Sequence, residues 1–229
     1  MGVTAFIPAK MTSQRLPGKN MRLLDGKPLL FYSIRAAQLA QEIDEVVVSS
    51  EDAKVLEYAA SCGVVTHQRP AELSLPEIRN LDVLRAWHYQ ADNKPDLLVL
   101  MQPTHPLRHP EDIGVAVQRM QKNPADCLFT VIREDLLLGT IEEGYFQPEF
   151  PLPRNKKAEP ERYRNTGSFY IFRPEASYLQ ENGSMFGDKI LAHPVQRPEF
   201  ELDIDTYEDY SLLKSMYQAH QEYFSYFQE

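Results

Sequence analysis

Short apolar runs alternate with helix-patterned stretches through residue 133, and this alternation constrains the fold more than any other feature of the chain. Residues 4–8 read as a buried strand. Lys27-Pro28 then opens a helix, with Leu30, Ile34 and Ala37 on one face and proline in the first turn. The β-branched run at 45–50 is a second strand, and Glu51-Asp52 place negative charge where the next helix dipole favours it. Residues 64–67 make a short strand, and a polar loop over 69–77 leads to a helix marked by Leu81, Leu84, Trp87 and Ala91. The nearly continuous apolar run at 96–101 suits a strand covered on both faces. A helix over 111–121 and a strand over 128–132 complete the series. The expected fold is α/β, a mainly parallel sheet with helices on both faces.

After Arg133 the pattern changes. Residues 134–162 carry Pro148, Pro151, Pro153 and Pro160 among aromatics and charges, too long for an ordinary connection, and read as an insertion within a single 1–229 domain. Strands return at 168–172 and 190–195. Residues 201–205 lead into a last helix through the capping-box pattern Thr206-Tyr207-Glu208-Asp209.

With 229 residues, 43% of them hydrophobic, the chain can bury a large core, and no run reaches the roughly 20 apolar residues of a membrane span. Met1-Gly2-Val3-Thr4 runs straight into a strand without a charged-then-apolar leader, so a cytoplasmic protein is expected. Cys62 and Cys127 have no metal-ligand spacing and read as buried free thiols. A net charge of -9 excludes a general nucleic-acid surface, though cations that converge locally can still hold a polyphosphate.

Such convergence is expected in the loop after the first strand, because α/β sheets bind ligands at the carboxyl ends of their strands. That loop carries Lys10, Arg15 and Lys19 with Ala9, Ser13, Pro17 and Gly18 between them. Neither the P-loop nor the dinucleotide glycine pattern is present. One such cation would be an ordinary solvated residue; three around a Leu-Pro-Gly turn, with free backbone N–H groups, suit an anion. Gln102, at the end of the 96–101 strand, carries an amide able to read donors and acceptors, in a segment whose two prolines also suit a plain turn. His105 in that turn reads as a surface residue. The segment 162–168 holds Arg162 and Arg164, suited to carboxylate or phosphate. Asp203 and Asp205 share a face at strand periodicity, and paired carboxylates suit Mg²⁺ with phosphate and water. The alternative is that Asp205 or Thr206 only caps the last helix.

In order, Leu-Pro-Gly-Lys-Asn (16–20), Val-Val-Val-Ser-Ser-Glu-Asp (46–52), Arg-Pro-Ala-Glu-Leu (69–73), Gln-Pro-Thr-His-Pro-Leu-Arg (102–108), Arg-Asn-Thr-Gly-Ser-Phe-Tyr-Ile (164–171) and Asp-Ile-Asp-Thr (203–206) resemble the acylneuraminate cytidylyltransferases over residues 4 to about 215. The resemblance implies a Rossmann-like nucleotidyltransferase of the nucleotide-diphospho-sugar type, joining CTP to a nonulosonic acid and releasing pyrophosphate. It assigns Ala9, Lys10, Ser13, Arg15 and Lys19 to the nucleotide, and Gln102, Arg164 and Thr166 to the acidic sugar. Asp203 and Asp205 would hold Mg²⁺, and Lys10, Lys19 and Asp203 would form the catalytic set. It further implies a homodimer in which 134–162 is an arm reaching a second subunit.

Departures from the family pattern are local. Lys10 stands in place of arginine, and Gln14-Arg15 in place of lysine-glycine, so the first loop is nearer the enzymes that activate the eight-carbon sugar Kdo. Residues 76–80, Pro-Glu-Ile-Arg-Asn, replace a small-residue stretch, and Thr166 replaces asparagine before Gly167. A transferase for Kdo or another sugar, and a non-catalytic nucleotide or sugar binder, are the alternative readings.

Overall fold

The computed structural model describes residues 1–13, 15–75, 77–149, 161–174 and 186–228. Its first half runs β1 (Val3–Pro8), β2 (Leu23–Leu24), β3 (Lys27–Pro28), α1 (Leu29–Leu39), β4 (Glu45–Ser50), α2 (Ala53–Ser61), β5 (Val65–Gln68) and α3 (Asn80–Gln90). The second half runs β6 (Leu97–Met101), α4 (Pro110–Lys122), β7 (Cys127–Arg133), β8 (Gly139–Glu142), β9 (Tyr145–Pro148), β10 (Tyr163–Phe172), β11 (Ile190–Pro194) and α5 (Tyr207–Ala219). Seven strands form one sheet in the order β11-β7-β10-β6-β1-β4-β5. All its pairings are parallel except those of β10, which runs antiparallel to both β6 and β7.

β1 and β6 lie at the middle of the sheet and are buried along their whole length. Successive side chains of a strand leave on opposite faces. Val3, Ala5 and Ile7 therefore join the core beneath α1, α2, α4 and α5, and Phe6 packs against Trp87 of α3 on the other face, with ring centroids 5.2 Å apart. Leu97, Val99 and Met101 of β6 alternate with Leu98 and Leu100 in the same way. Burying a side chain such as Phe6 on the second face is worth about 2–3 kcal/mol.

Helix starts follow their local chemistry. The Asp52 carboxylate accepts from the backbone N–H groups of Lys54 and Val55 at 2.9 and 3.2 Å and caps α2. Pro110 occupies the first turn of α4, with Glu111 and Asp112 at its positive end and Arg119 and Lys122 in its last turn. α1 begins at Leu29, not Lys27, because Lys27 and Pro28 pair with Leu24 and Leu23 in a hairpin. Asp25 and Gly26 close that hairpin, both at positive φ, as a two-residue primed turn requires.

Two further expectations are corrected. β10 begins at Tyr163, five residues before the expected start, so Arg164 and Thr166 lie within a strand. Residues 201–205 form no ladder, although the expected alternation survives: Ile204 is fully buried while Asp203 and Asp205 face a cavity. Within the expected insertion, β8 and β9 pair as an isolated hairpin turned by Glu143 and Gly144, both at positive φ. Its remaining residues from 150 to 160, including Pro151, Pro153 and Pro160, lie outside the described residues. Cys127 is buried as expected, whereas Cys62 is only half-buried at the end of α2.

The capping box at α5 is present in both directions. Thr206 Oγ1 accepts from the Asp209 N–H at 3.2 Å, and Asp209 Oδ2 accepts from the Thr206 N–H at 2.8 Å. Thr206→Ala is expected to cost about 1 kcal/mol, read as a lower urea midpoint at unchanged m-value.

Candidate active site

The parallel strands β1, β4 and β6 all end at one edge of the sheet, and antiparallel β10 starts there. A cavity of about 420 Å³ opens at this edge, and Lys10, Ser13, Arg15, Lys19, Gln102, Asp203 and Asp205 line it. Three separate stretches of sequence thus supply the expected residues to one space.

The first loop is held from both sides. Asn20, itself buried, donates Nδ2 to the Lys10 carbonyl at 2.9 Å. The Glu51 carboxylate accepts from the Met11 N–H at 2.8 Å and from Ser74 Oγ at 3.1 Å. Ala9 is fully buried and does not line the cavity; its N–H donates to Ser49 O at 2.8 Å, and its carbonyl accepts from Ser50 Oγ at 2.7 Å. Behind this loop Arg69, expected in a polar loop, is buried and donates Nη2 to Ser49 O at 2.8 Å.

Opposite the loop, the extended segment 201–205 is pinned where the Ile204 N–H donates to Thr104 O at 2.9 Å. Lys19 Nζ donates to Asp205 Oδ1 and to Ile204 O, each at 2.9 Å, and Arg15 Nη2 reaches Asp205 Oδ2 at 2.5 Å. Burial alone would raise the Asp205 carboxyl; the hydrogen bond and charge of Lys19, then those of Arg15, outweigh it and hold it below the ordinary carboxylate range. Asp203 shifts the other way, because desolvation and then the charge of Asp205 exceed the help from Thr104 and Lys19. One aspartate is paired with lysine and arginine, and its neighbour is raised chiefly by burial.

That asymmetry bears on metal binding. No cluster of three or more His, Cys, Asp or Glu side chains suited to a metal ion occurs among the described residues. Two carboxylates on a polar cavity are nevertheless a fitting donor set for a hard cation that takes its remaining oxygens from phosphate and water.

Gln102 has both ends of its amide engaged, Oε1 accepting from Asn80 Nδ2 at 2.6 Å and Nε2 donating to Gly167 O at 3.3 Å. Thr166 sits behind the cavity wall, its hydroxyl 2.6 Å from that of Thr130. Arg164 is not brought to the cavity; it is half exposed and pairs with Glu134 at 3.2 Å. His105, expected at the surface, is 4% exposed, with Nδ1 3.3 Å from Thr104 Oγ1 and 3.7 Å from Asp203 Oδ1. Burial, aided by the charge of Arg108, lowers its pKa to about 3. Asn80, Arg108, Glu201 and Asn20 also build the site and were not singled out from sequence. Asn80 was signalled only as part of a departure from the family pattern.

The cytidylyltransferase family model matches residues 4–229. The chain belongs to this family. It is 30% identical to N-acylneuraminate cytidylyltransferase A of Danio rerio over 210 residues, covering 89% of the chain and 48% of that protein. It is also 30% identical to the CMP-N,N'-diacetyllegionaminic acid synthase of Legionella pneumophila over 234 residues, 97% of the chain and 99% of that protein. The chain therefore spans about half the length of the first relative and nearly all of the second. Among solved structures, a CMP:2-keto-3-deoxy-manno-octonic acid synthetase complexed with CTP superposes with a TM-score of 0.74 at 18% identity, covering 97% of this chain and 100% of that one. The 4-diphosphocytidyl-2C-methyl-D-erythritol synthase of Anaerococcus prevotii superposes with a TM-score of 0.69 at 13% identity, covering 95% and 96%. These two share the fold of this chain over 97% and 95% of its length.

The buried histidine has a consequence for stability. His105 has a folded pKa of about 3 and an ordinary value of 6.5, so the unfolded chain takes up a proton that the native state refuses. Its contribution to stability is present in full above pH 6.5 and is lost as the pH falls toward 3. Urea unfolding across this window should show a fall in stability that is shallower in His105→Asn. An equal slope in the two proteins would contradict the assignment.

Proposed function

We propose that this chain transfers CMP from CTP to a nonulosonic, sialic-acid-like 3-deoxy-2-ulosonic acid and releases pyrophosphate. The observation that carries this reading is the cavity in which Lys10, Arg15 and Lys19 of the first loop face Asp203 and Asp205. Membership of the family and the printed names of the relatives support the nucleotide and the class of sugar.

In this reaction the anomeric C2 hydroxyl of the sugar attacks the α-phosphorus of CTP in line. A new P–O bond forms as the bond to the β-phosphate oxygen breaks, and the hydroxyl proton is released. The protein contributes position and charge. Lys10, Lys19 and Arg15 offset the charge that grows on the departing pyrophosphate. Lys19 and Arg15 pair with Asp205, so a nucleotide phosphate that drew them would take the place of a carboxylate partner. Asp203 and Asp205 would hold Mg²⁺, which would supply charge neutralisation for the phosphates. Gln102 keeps one amide hydrogen and one oxygen lone pair beyond its contacts with Gly167 and Asn80, and a sugar in the cavity would meet these. Arg164 and Thr166 stand outside the cavity wall, so their contact with an acidic substrate requires the sugar to extend along β10.

The 134–162 segment supports a homodimer. Its hairpin leaves Ile141, Tyr145 and Phe146 largely exposed, a concentration of apolar surface that association would cover. Free Cys62 and Cys127, together with CTP as the donor, support a cytoplasmic setting.

A pyrophosphate-release assay with CTP, Mg²⁺ and N-acetylneuraminic, legionaminic, pseudaminic, KDN and Kdo acids tests the reaction. Release with a nonulosonic acid, and none with CTP alone, is expected. Asp203→Asn and Asp205→Asn should each reduce turnover about 100-fold or more with unchanged circular dichroism. Release with Kdo alone would favour the eight-carbon reading, and CTP binding without release on any acid would favour a binding protein. Ile141→Glu is expected to shift the mass found by light scattering from dimer to monomer.

A further inference from the structure

Beneath the cavity wall lies the guanidinium of Arg108, 3% exposed and assigned no part in the chemistry above. Its three nitrogens reach three separate parts of the fold. Nη1 donates to Ser33 Oγ of α1 at 2.9 Å, Nε donates to Ser168 O at 2.8 Å, and Nη2 donates to Gln102 O. Two of these acceptors bracket the same feature. Gln102 is held by its own carbonyl, and Ser168 follows Gly167, whose carbonyl receives the Gln102 amide.

That part of β10 lacks regular support from β7. The pairing of β10 with β7 slips between Asn165 and Tyr170, and Gly167 within the slip has a φ of +78°. A bulged stretch with interrupted ladder bonds depends on side-chain donors to fix its carbonyls. Arg108 supplies one of them. The negative charge of Glu201, whose Oε2 is buried without a hydrogen bond, favours the charged guanidinium. Glu201 opens the segment that carries both aspartates.

We propose that Arg108 is a positioning residue that fixes the direction in which the Gln102 amide faces the acidic sugar. This rests on the reading of Gln102 as the sugar-facing group. A planar fork with three bonded acceptors sets an orientation that a lysine ammonium, with the same charge, cannot reproduce. Arg108→Lys therefore separates geometry from charge. Ser33→Ala removes one of the three bonds from the far side, in helix α1, without touching the cavity.

Two measurements decide the matter. In the free protein, the side-chain amide signals of Gln102 in a ¹⁵N NMR spectrum should shift in Arg108→Lys and shift less, in the same direction, in Ser33→Ala. In the transfer assay, Arg108→Lys should raise KM for the sugar about tenfold while Kd for CTP stays within about twofold, and Ser33→Ala should raise the sugar KM about threefold. Ser33→Ala should add nothing in the Arg108→Lys background. Unmoved Gln102 signals, or equal losses for sugar and CTP, would overturn the proposal and leave Arg108 as a packing residue. Should Arg108→Lys fail to fold, Ser33→Ala carries both readouts. Should the unmodified protein transfer CMP to no acid, the proposed function fails, while the Gln102 signals still decide the role of Arg108.

Discussion

Covering β1 and β6 on both faces is the constraint on which the rest depends. Once every side chain of these strands is committed to core, their ends are the only places where they can meet a ligand. The loops that leave those ends must satisfy their own backbone, and they do so with side chains from distant segments. Glu51 holds Met11 and Ser74, Asn20 holds Lys10, and Thr104 holds Ile204. Burial in the sheet thereby fixes the positions of charged groups that lie outside it.

The cavity lies between loop cations and carboxylates of opposite sign, and their pairing is uneven. Asp205 has Lys19 and Arg15; Asp203 has Thr104 and a neutral, buried His105. A site neutralised throughout would gain little from a further cation, and one with both aspartates unpaired would repel itself. The observed division pairs one carboxylate with two cations and leaves the other without a lysine or arginine salt bridge among the described residues. It also keeps two cations near the place where an anionic ligand would draw them.

Much of this was legible in the sequence where a residue reports on its own surroundings. Continuous apolar runs gave away β1, β4 and β6 because strands covered on both faces tolerate little else. Thr206 and Asp209 announced their cap because both partners lie within one turn. The two hairpins at Asp25-Gly26 and Glu143-Gly144 were missed, since two- and four-residue strands are too short to show alternation. β10 was read late because Arg164, Asn165 and Thr166 look like loop until a neighbouring strand is supplied. Buried Arg69, His105 and Arg108 could not be foreseen: a charged or polar side chain is buried only when remote partners such as Ser49, Ser33 and Ser168 are present to receive it.

The departures from the family pattern acquire a common meaning once their places are known. Asn80 ends the altered 76–80 stretch and donates to the Gln102 oxygen; Thr166 precedes the glycine whose carbonyl accepts from the Gln102 nitrogen. Two changes far apart in sequence therefore bear on the two ends of one amide. An amide discriminates by which end it offers and in which direction, so altering its neighbours changes what it reads without altering the amide itself. Of the changes in the first loop, Arg15 pairs with Asp205 and Lys10 lines the cavity. The charged residues of the cavity can in this way be kept while the direction of the Gln102 amide is changed through its neighbours Asn80 and Gly167.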